Sequence, residues 1–427
     1  MKRLIDAVTS VTLGVRARNS LILSGASLAR NLLGLVTIIL IARYLEPSDF
    51  GRLMFAFALA SLFAPIAALG IERLAVRQMV AEPARVDRIA ATALCLRMCG
   101  AALGLILATT IAATGLIYDD TPPLLTALAC AALFQAAIDG LTGVLTAQEK
   151  FTHAAIPPIT AAAANFVFVV VLVSQPDRAL ALFAGSRVLE AAIIILGIIL
   201  AVRLARIPLP NFRPSAQILR GFLRQGLPIL LSAIAYTVFL RMDQIMLAAL
   251  TSEAELGVYS LSLRLAEALN FVPVMIALAF YPHLTRLYES AKAAYEAELH
   301  FLFDVMAVVS AGLILIIWVV AAGVLAPLFG EAYARSAGIA AVLALAIPFV
   351  ALGLARSSVF TITGQVWLPL AIWSGPVAVN VAGNLLLIPL LSAYGAAIST
   401  VLSLVIAHLG TSFLFPALRR HGPAMLG

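Results

Sequence analysis

Five arginines and four carboxylates fall inside stretches that are otherwise apolar: Arg30, Arg97, Arg187, Arg264 and Arg356, with Asp139, Glu190, Glu267 and Asp304. A charge at the centre of a membrane helix costs about 2.5–3.5 kcal/mol on insertion scales, so such groups mark function. A guanidinium presents a planar fork of N–H donors that matches phosphate. A carboxylate in the same setting can carry a proton or a sodium ion. Arg30 and Arg264 stand two turns or more from either end of their stretches. Arg97 and Arg356 lie nearer an end, where a long side chain can snorkel to water. Arg187 is intermediate, and Asp304 opens its stretch and reads as interfacial.

Helical spacing shows where these groups point. Ser20, Ser24, Ser27, Asn31 and Gly34 follow a rhythm of three to four, with Arg30 beside them. Gln135, Asp139, Thr142 and Thr146 make one stripe, and Ser260, Arg264, Glu267 and Asn270 make another. Ser232, Tyr236 and Asp243 share a third stretch, and Ser374, Asn380 and Asn384 a fourth. Lipid does not tolerate such stripes, so they face protein or water. Two readings stay open. Arg187 with Glu190, and Arg264 with Glu267, stand three residues apart and can be local ion pairs that join helices. Alternatively the stripes meet around a hydrated cavity. Unpaired Arg30, with Arg264, Arg187 and Arg97, would then make an electropositive wall suited to a phosphate-bearing substrate.

Positioning these groups takes membrane helices. A span needs about 20 apolar residues, and the chain offers twelve: 20–42, 52–70, 89–117, 123–146, 154–174, 179–202, 224–242, 256–281, 301–326, 337–362, 367–391 and 393–416. The last two form a tight hairpin. The chain has 427 residues, 63% hydrophobic and 11% charged. Soluble domains carry about 25% charged residues, so a cytosolic enzyme, a secreted protein and a nucleic-acid reader are excluded. Residues 1–19 lack a signal-peptide pattern. Leu4, Ile5, Val8, Val11 and Val15 share one face, which predicts a helix lying on the membrane. The organisation expected is that interfacial helix, a six-helix lobe over 20–202, a cytoplasmic linker over 203–223, a second six-helix lobe over 224–416 and a tail over 417–427. The fold class is all-α, with the two lobes framing a central cavity.

Loop charge sets the orientation. With the N-terminus inside, eighteen Lys and Arg face the cytoplasm and five face out: Arg43, Arg52, Arg178, Arg241 and Arg335. Both termini are therefore expected in the cytoplasm. The chain also repeats itself. Asp49-Phe50-Gly51 and Glu255-Leu256-Gly257 stand 206 residues apart, and Val144, Thr146 and Asn165 match Val359, Thr361 and Asn380 at 215. A duplication of six spans leaves both halves starting on the same side, as parallel repeats about an axis along the membrane normal. Pro65, Pro228, Pro273, Pro348 and Pro376 fall inside spans, where each removes a backbone hydrogen bond and permits a bend.

Other chemistries find no support. No phosphate-binding glycine loop is present. The five histidines are scattered. Cys95, Cys99 and Cys130 lack metal-ligand spacing and read as free, buried thiols. No cofactor is expected beyond a coupling ion, H+ or Na+.

The segment Arg43-Tyr44-Leu45-Glu46-Pro47-Ser48-Asp49-Phe50-Gly51 resembles the signature after the first helix of polysaccharide-repeat flippases, with Glu46 in place of a glycine. That family belongs to the multidrug/oligosaccharidyl-lipid/polysaccharide exporter superfamily. Arg241–Leu247 with Glu255–Ser260 is similar to the second-half signature, and so is Asn384–Pro389 with Tyr394–Ala397. The resemblance implies twelve to fourteen helices, two lobes around a V-shaped cationic cavity, and alternating access. The implied substrate is undecaprenyl-pyrophosphate-linked oligosaccharide, moved across a bacterial inner membrane, with membrane lipids and polysaccharide polymerase machinery as partners. On that reading Arg30 and Arg264 hold pyrophosphate or acidic sugar, with Asn31 and Asn270 beside them. Arg187 and Arg97 guide the substrate in, and Asp139, Glu190 or Glu267 carries the coupling ion. An ion-coupled small-molecule exporter of the same superfamily is the alternative; it predicts a cavity of carboxylates and aromatics.

Overall fold

The computed structural model describes residues 15–117, 123–175, 179–207, 213–323, 325–363 and 367–410, and among them every regular element is a helix. The interfacial helix expected over 1–19 lies largely outside the described residues, as does the tail over 417–427. From Val15 the chain is already in its first long helix.

The first half comprises α1 (Val15–Tyr44), α2 (Pro47–Leu62), α3 (Ala64–Ala68), α4 (Glu72–Ala81), α5 (Val86–Thr114), α6 (Pro123–Ala129), α7 (Ala131–Ala147), α8 (Phe151–Val173) and α9 (Leu180–Leu204). The second comprises α10 (Ala216–Leu250), α11 (Glu253–Glu267), α12 (Phe271–Ser290), α13 (Lys292–Gly323), α14 (Leu325–Phe329), α15 (Ser336–Ala344), α16 (Ile347–Thr363), α17 (Leu368–Leu391) and α18 (Ala393–Val405). Among the described residues nine helices are long and apolar enough to cross a membrane, ten with the bent pair Glu331–Ala344 and Ile347–Ser357. The apolar stretches predict twelve. The remaining two are helical as well: α9 has 25 residues, about 37 Å of rise, and Ala393–His408 is a shorter apolar helix.

Several expected single spans are broken. The second is interrupted between α2 and α3 and again where Leu69 and Gly70 take φ of 55° and 63°. Gly70 suits that conformation and also has no room for a side chain, because a Cβ would stand 2.8 Å from Ile229. The eighth stretch breaks between α11 and α12, which is the same point in the repeat. Pro47 starts α2 after an extended Glu46, and Ser252 caps α11 by accepting from the Glu255 N–H at 3.3 Å. Both starts follow helix-entry chemistry.

Packing repeats too. Helix α1 lies on α8 and α8 on α9, just as α10 lies on α17 and α17 on α18. The two copies meet where α2 crosses α11. A methyl at Gly51 would stand 1.9 Å from the Glu253 carbonyl oxygen, and one at Gly257 would stand 2.0 Å from the Pro47 carbonyl oxygen. Pro47 and Glu253 are themselves 206 residues apart, so the crossing obeys a local twofold. Around it, Arg52 donates to Glu253 at 2.7 Å, and the Tyr333 hydroxyl donates to the Leu45 carbonyl at 3.3 Å. A single apolar core runs through this end, from Ile38 and Phe50 to Tyr259 and Ile339.

Away from the crossing the halves differ. Helix α10 packs along α2, α3 and α4, whereas α1 approaches α11 little.

Candidate functional site

Asp243, on the last third of α10, is 3% exposed. Its carboxylate accepts from the Tyr259 hydroxyl at 2.6 Å, from Asn384 Nδ2 at 3.0 Å and from the Thr400 hydroxyl. Asn384 Nδ2 also donates to Asn380 Oδ1 at 3.1 Å, while Asn384 Oδ1 and Asn380 Nδ2 are buried with no hydrogen-bond partner. Three helices beside α10 therefore converge on one buried carboxylate. The oxygens of Asp243, Asn380, Asn384, Tyr259 and Thr400 form a hard donor set of the kind that suits an alkali cation or a proton. Among the described residues no group of three His, Cys, Asp or Glu could hold a metal.

A cluster of charge is formed by α9, α10 and α11. Arg264 pairs with Glu267 at 3.5 Å, and Arg187 with Glu190 at 2.8 Å. Glu190 also accepts from Asn165 Nδ2 at 3.3 Å, and the Arg187 guanidinium stacks 4.8 Å over the Phe57 ring. Both local ion pairs left open by the spacing are thus formed. They do not exhaust the cations, because Arg264 also lies within electrostatic reach of Arg187 and Arg241. Sequence placed Arg241 in an outer loop; α10 instead continues to Leu250, so Arg241 is a helical residue. One nitrogen of Arg241 and Nε of Arg264 are buried without a hydrogen-bond partner. Each of the two carboxylates is paired with one arginine, and Arg241 is a third guanidinium near Arg264 that makes no ion pair among the described residues.

Beside the cluster is a cavity of about 880 Å³. Its walls include Tyr236, Phe239, Asp243, Glu267, Asn270 and Trp373, and Arg73 and Arg77 also reach it. The charged lining comes from α4, α10, α11 and α16, and the aromatic lining from α10 and α17. Arg264, expected on the cavity wall, is not among its lining residues, although its partner Glu267 is. Arg356, placed by its sequence position within snorkelling reach of water, is instead 1% exposed and donates to the carbonyls of Ala407 at 2.9 Å and His408 at 3.1 Å.

The other expected residues fall in the first half. Arg30 is half-buried on α1 and Asn31 exposed. Asp139 on α7 is in electrostatic reach of Arg97, Arg30 and Glu72. Arg97 is 2% exposed, donates to the Ala136 carbonyl and packs against Gly140. It joins α5 to α7 and offers no free face to an incoming substrate. Asp304 is exposed. Of the three thiols only Cys130 is buried; Cys99 is exposed, on a face of α5 suited to lipid. Sequence reasoning missed the convergence on Asp243 and the part played by Arg241. Asp243, Asn380 and Asn384 all belong to the polar stripes, and that was the signal available.

The family model described as polysaccharide biosynthesis protein matches residues 16–288. None of the curated proteins matches the chain. Among solved structures, an inward-facing multidrug resistance transporter of the MATE family superposes with a TM-score of 0.72 at 20% identity, covering 93% of this chain and 95% of that one. The lipid II flippase MurJ, in an inward closed conformation, gives 0.70 at 14% identity over 95% and 90%. An outward-facing MATE family transporter gives 0.63 at 14% over 95% and 96%. At these identities the likeness establishes the fold alone, which this chain shares with those proteins. The match over well more than half of the sequence establishes the family: the chain belongs to the polysaccharide biosynthesis protein family.

Proposed function

We propose that this protein flips polyprenyl-pyrophosphate-linked oligosaccharide across a bacterial inner membrane by alternating access, for surface polysaccharide synthesis. The observation that carries the reading is the surplus guanidinium charge of Arg187, Arg241 and Arg264 beside a large cavity. Pyrophosphate needs several N–H donors and compensating charge, and the unpartnered nitrogens of Arg241 and Arg264 supply both. Arg30, on α1 of the half that also supplies Arg187, would be the fourth donor. The two halves, 20–202 and 224–416, would rock about the Gly51–Gly257 crossing. The scant contact between α1 and α11 would let the lipid chain stay in the bilayer. Both termini would face the cytoplasm. Asp243 joins Asp139, Glu190 and Glu267 as a coupling residue and is the best furnished of the four, because an arriving Na+ or H+ would compete with three fixed donors for one carboxylate.

The test is a leaflet-sidedness assay in a deletion strain. Lipid-linked repeat units should accumulate on the inner leaflet and be cleared by the wild-type gene. Normal appearance of repeat units on the outer leaflet without the protein would overturn the reading.

The exporter reading is favoured by one observation, the aromatic and carboxylate lining of the cavity. Glu267 is paired with Arg264, and Asp243, though charged, is 3% exposed and enclosed by three donors, which leaves little carboxylate surface for an organic cation to reach. Overexpression should therefore leave resistance to cationic dyes unchanged.

A further inference from the structure

The cavity itself is poorly matched to phosphate. Asp243 and Glu267 would repel an anion, Arg356 is committed to the carbonyls of residues 407 and 408, and the other two guanidinium groups that reach the cavity, Arg73 and Arg77, are exposed side chains of α4. What the wall offers is an aromatic surface with acceptors along its edge. The Tyr236 ring lies 4.9 Å from Trp373 with the planes tilted by 59°, and Trp373 lies 5.1 Å from Phe239. Tyr236 keeps 43% of its surface free, a large fraction for a tyrosine facing the interior of a protein. Asn270 Oδ1 is buried without a hydrogen-bond partner, and Glu267 meets Arg264 through one oxygen only, leaving the other free to accept.

We propose that Tyr236 and Trp373, with Asn270 and Glu267, form a saccharide platform that receives the sugars nearest the pyrophosphate. The proposal rests on the flippase reading and deepens it. A pyranose has one face of C–H bonds, electropositive enough to rest on the negative face of an aromatic ring. Its hydroxyls point outward in the ring plane and donate to acceptors. Aromatic faces rimmed by unpaired acceptors answer both features, whereas a lipid chain would leave Asn270 Oδ1 unsatisfied, at a cost. The volume, about 880 Å³, is at the upper end of the range of small-molecule pockets, roughly 300–1,000 Å³. Glu267 belongs to both subsites, since it pairs with Arg264 through one oxygen and also lines the cavity. The pyrophosphate and the first sugar would therefore be read side by side.

The experiment uses the full-length protein in nanodiscs and two ligands. One is undecaprenyl pyrophosphate without sugar; the other is the lipid-linked repeat unit extracted from the deletion strain. Tyr236→Ala should weaken binding of the glycosylated lipid about tenfold and change binding of the bare lipid by less than about twofold. Asn270→Ala should act the same way with a smaller loss, about fivefold, and Tyr236→Phe should retain binding. An equal loss for both lipids, or no loss for either, overturns the platform while leaving the flippase reading intact. Failure of the wild-type protein to bind either lipid removes the flippase reading, and the platform with it. Asn270 Oδ1 makes no hydrogen bond that the fold depends on, so its variant decides the matter if Tyr236→Ala does not fold.

Discussion

Helices α1 and α10 occupy the same place in the repeat and have diverged in what they carry. Residues 206 apart pair Arg30 with Tyr236 and Thr37 with Asp243. Where the first copy sets a cation, the second sets an aromatic ring on a cavity wall. Thr37 turns its hydroxyl back to the Leu33 carbonyl at 2.7 Å, a local bond, while Asp243 gathers donors from three other helices. The packing diverges in step, since α10 is held by α2, α3 and α4 and α1 by little outside its own half. The duplication thus kept the crossing that joins the halves and released the rest. Backbone-on-backbone contact at Gly51 and Gly257 tolerates no change, whereas side chains facing water or cavity are free to specialise.

This comparison can be broken or sharpened by substitution. The largest effect is expected at the arginine cluster. Arg264→Ala should reduce transport to background at normal protein level, and Arg264→Lys should restore it only in part, because lysine keeps the charge and loses the planar fork. Normal transport by Arg264→Ala would remove phosphate binding from that side chain. Asp243→Asn comes next. It should cut transport at least about tenfold and lower thermal stability, since charge-assisted bonds worth about 1.5–3 kcal/mol become neutral ones. Thr37→Val, at the equivalent position, should change transport less than about twofold on the same scale. Equal losses at the two positions would show that the copies have not diverged in function.

The crossing gives the third effect, in thermal unfolding. Gly51→Ala and Gly257→Ala should each cost about 1–3 kcal/mol through overpacking, and by similar amounts. Gly34→Ala, where nothing lies within 4 Å of an added Cβ, should be neutral. Unequal costs for Gly51 and Gly257 would refute the local twofold. The smallest effect is at Arg52→Ala. That ion pair with Glu253 is 39% exposed on the arginine side, and such pairs contribute about 0.2–1 kcal/mol.

Much of the architecture was legible because lipid imposes a simple rule: an apolar run of sufficient length becomes a helix. The polar stripes of α1, α7, α11 and α17 were equally legible, since a 3.6-residue period exposes them. Boundaries were harder. Arg241 stands where the apolar run ends, yet α10 runs on, because Asp243 and Gln244 are satisfied by Tyr259, Thr400, Asn384 and Ser260 and need no loop. Arg97 and Arg356 lie near enough to span ends to reach water. Each instead donates to backbone carbonyls distant in sequence, Arg97 to Ala136 and Arg356 to Ala407 and His408, and no local pattern encodes that.

The sequence by itself placed this chain in a membrane, pointed to two related halves and put cations inside the apolar stretches. Those properties follow from composition and periodicity, which are local. Only the tertiary structure decided which cations share a site. It also decided that Arg264 faces the cluster while Glu267 and Asn270 face the cavity, and that Asp243 is the most tightly held carboxylate. Those outcomes depend on which helices lie side by side, and the partner of a buried charge is chosen by proximity in space rather than by spacing along the chain.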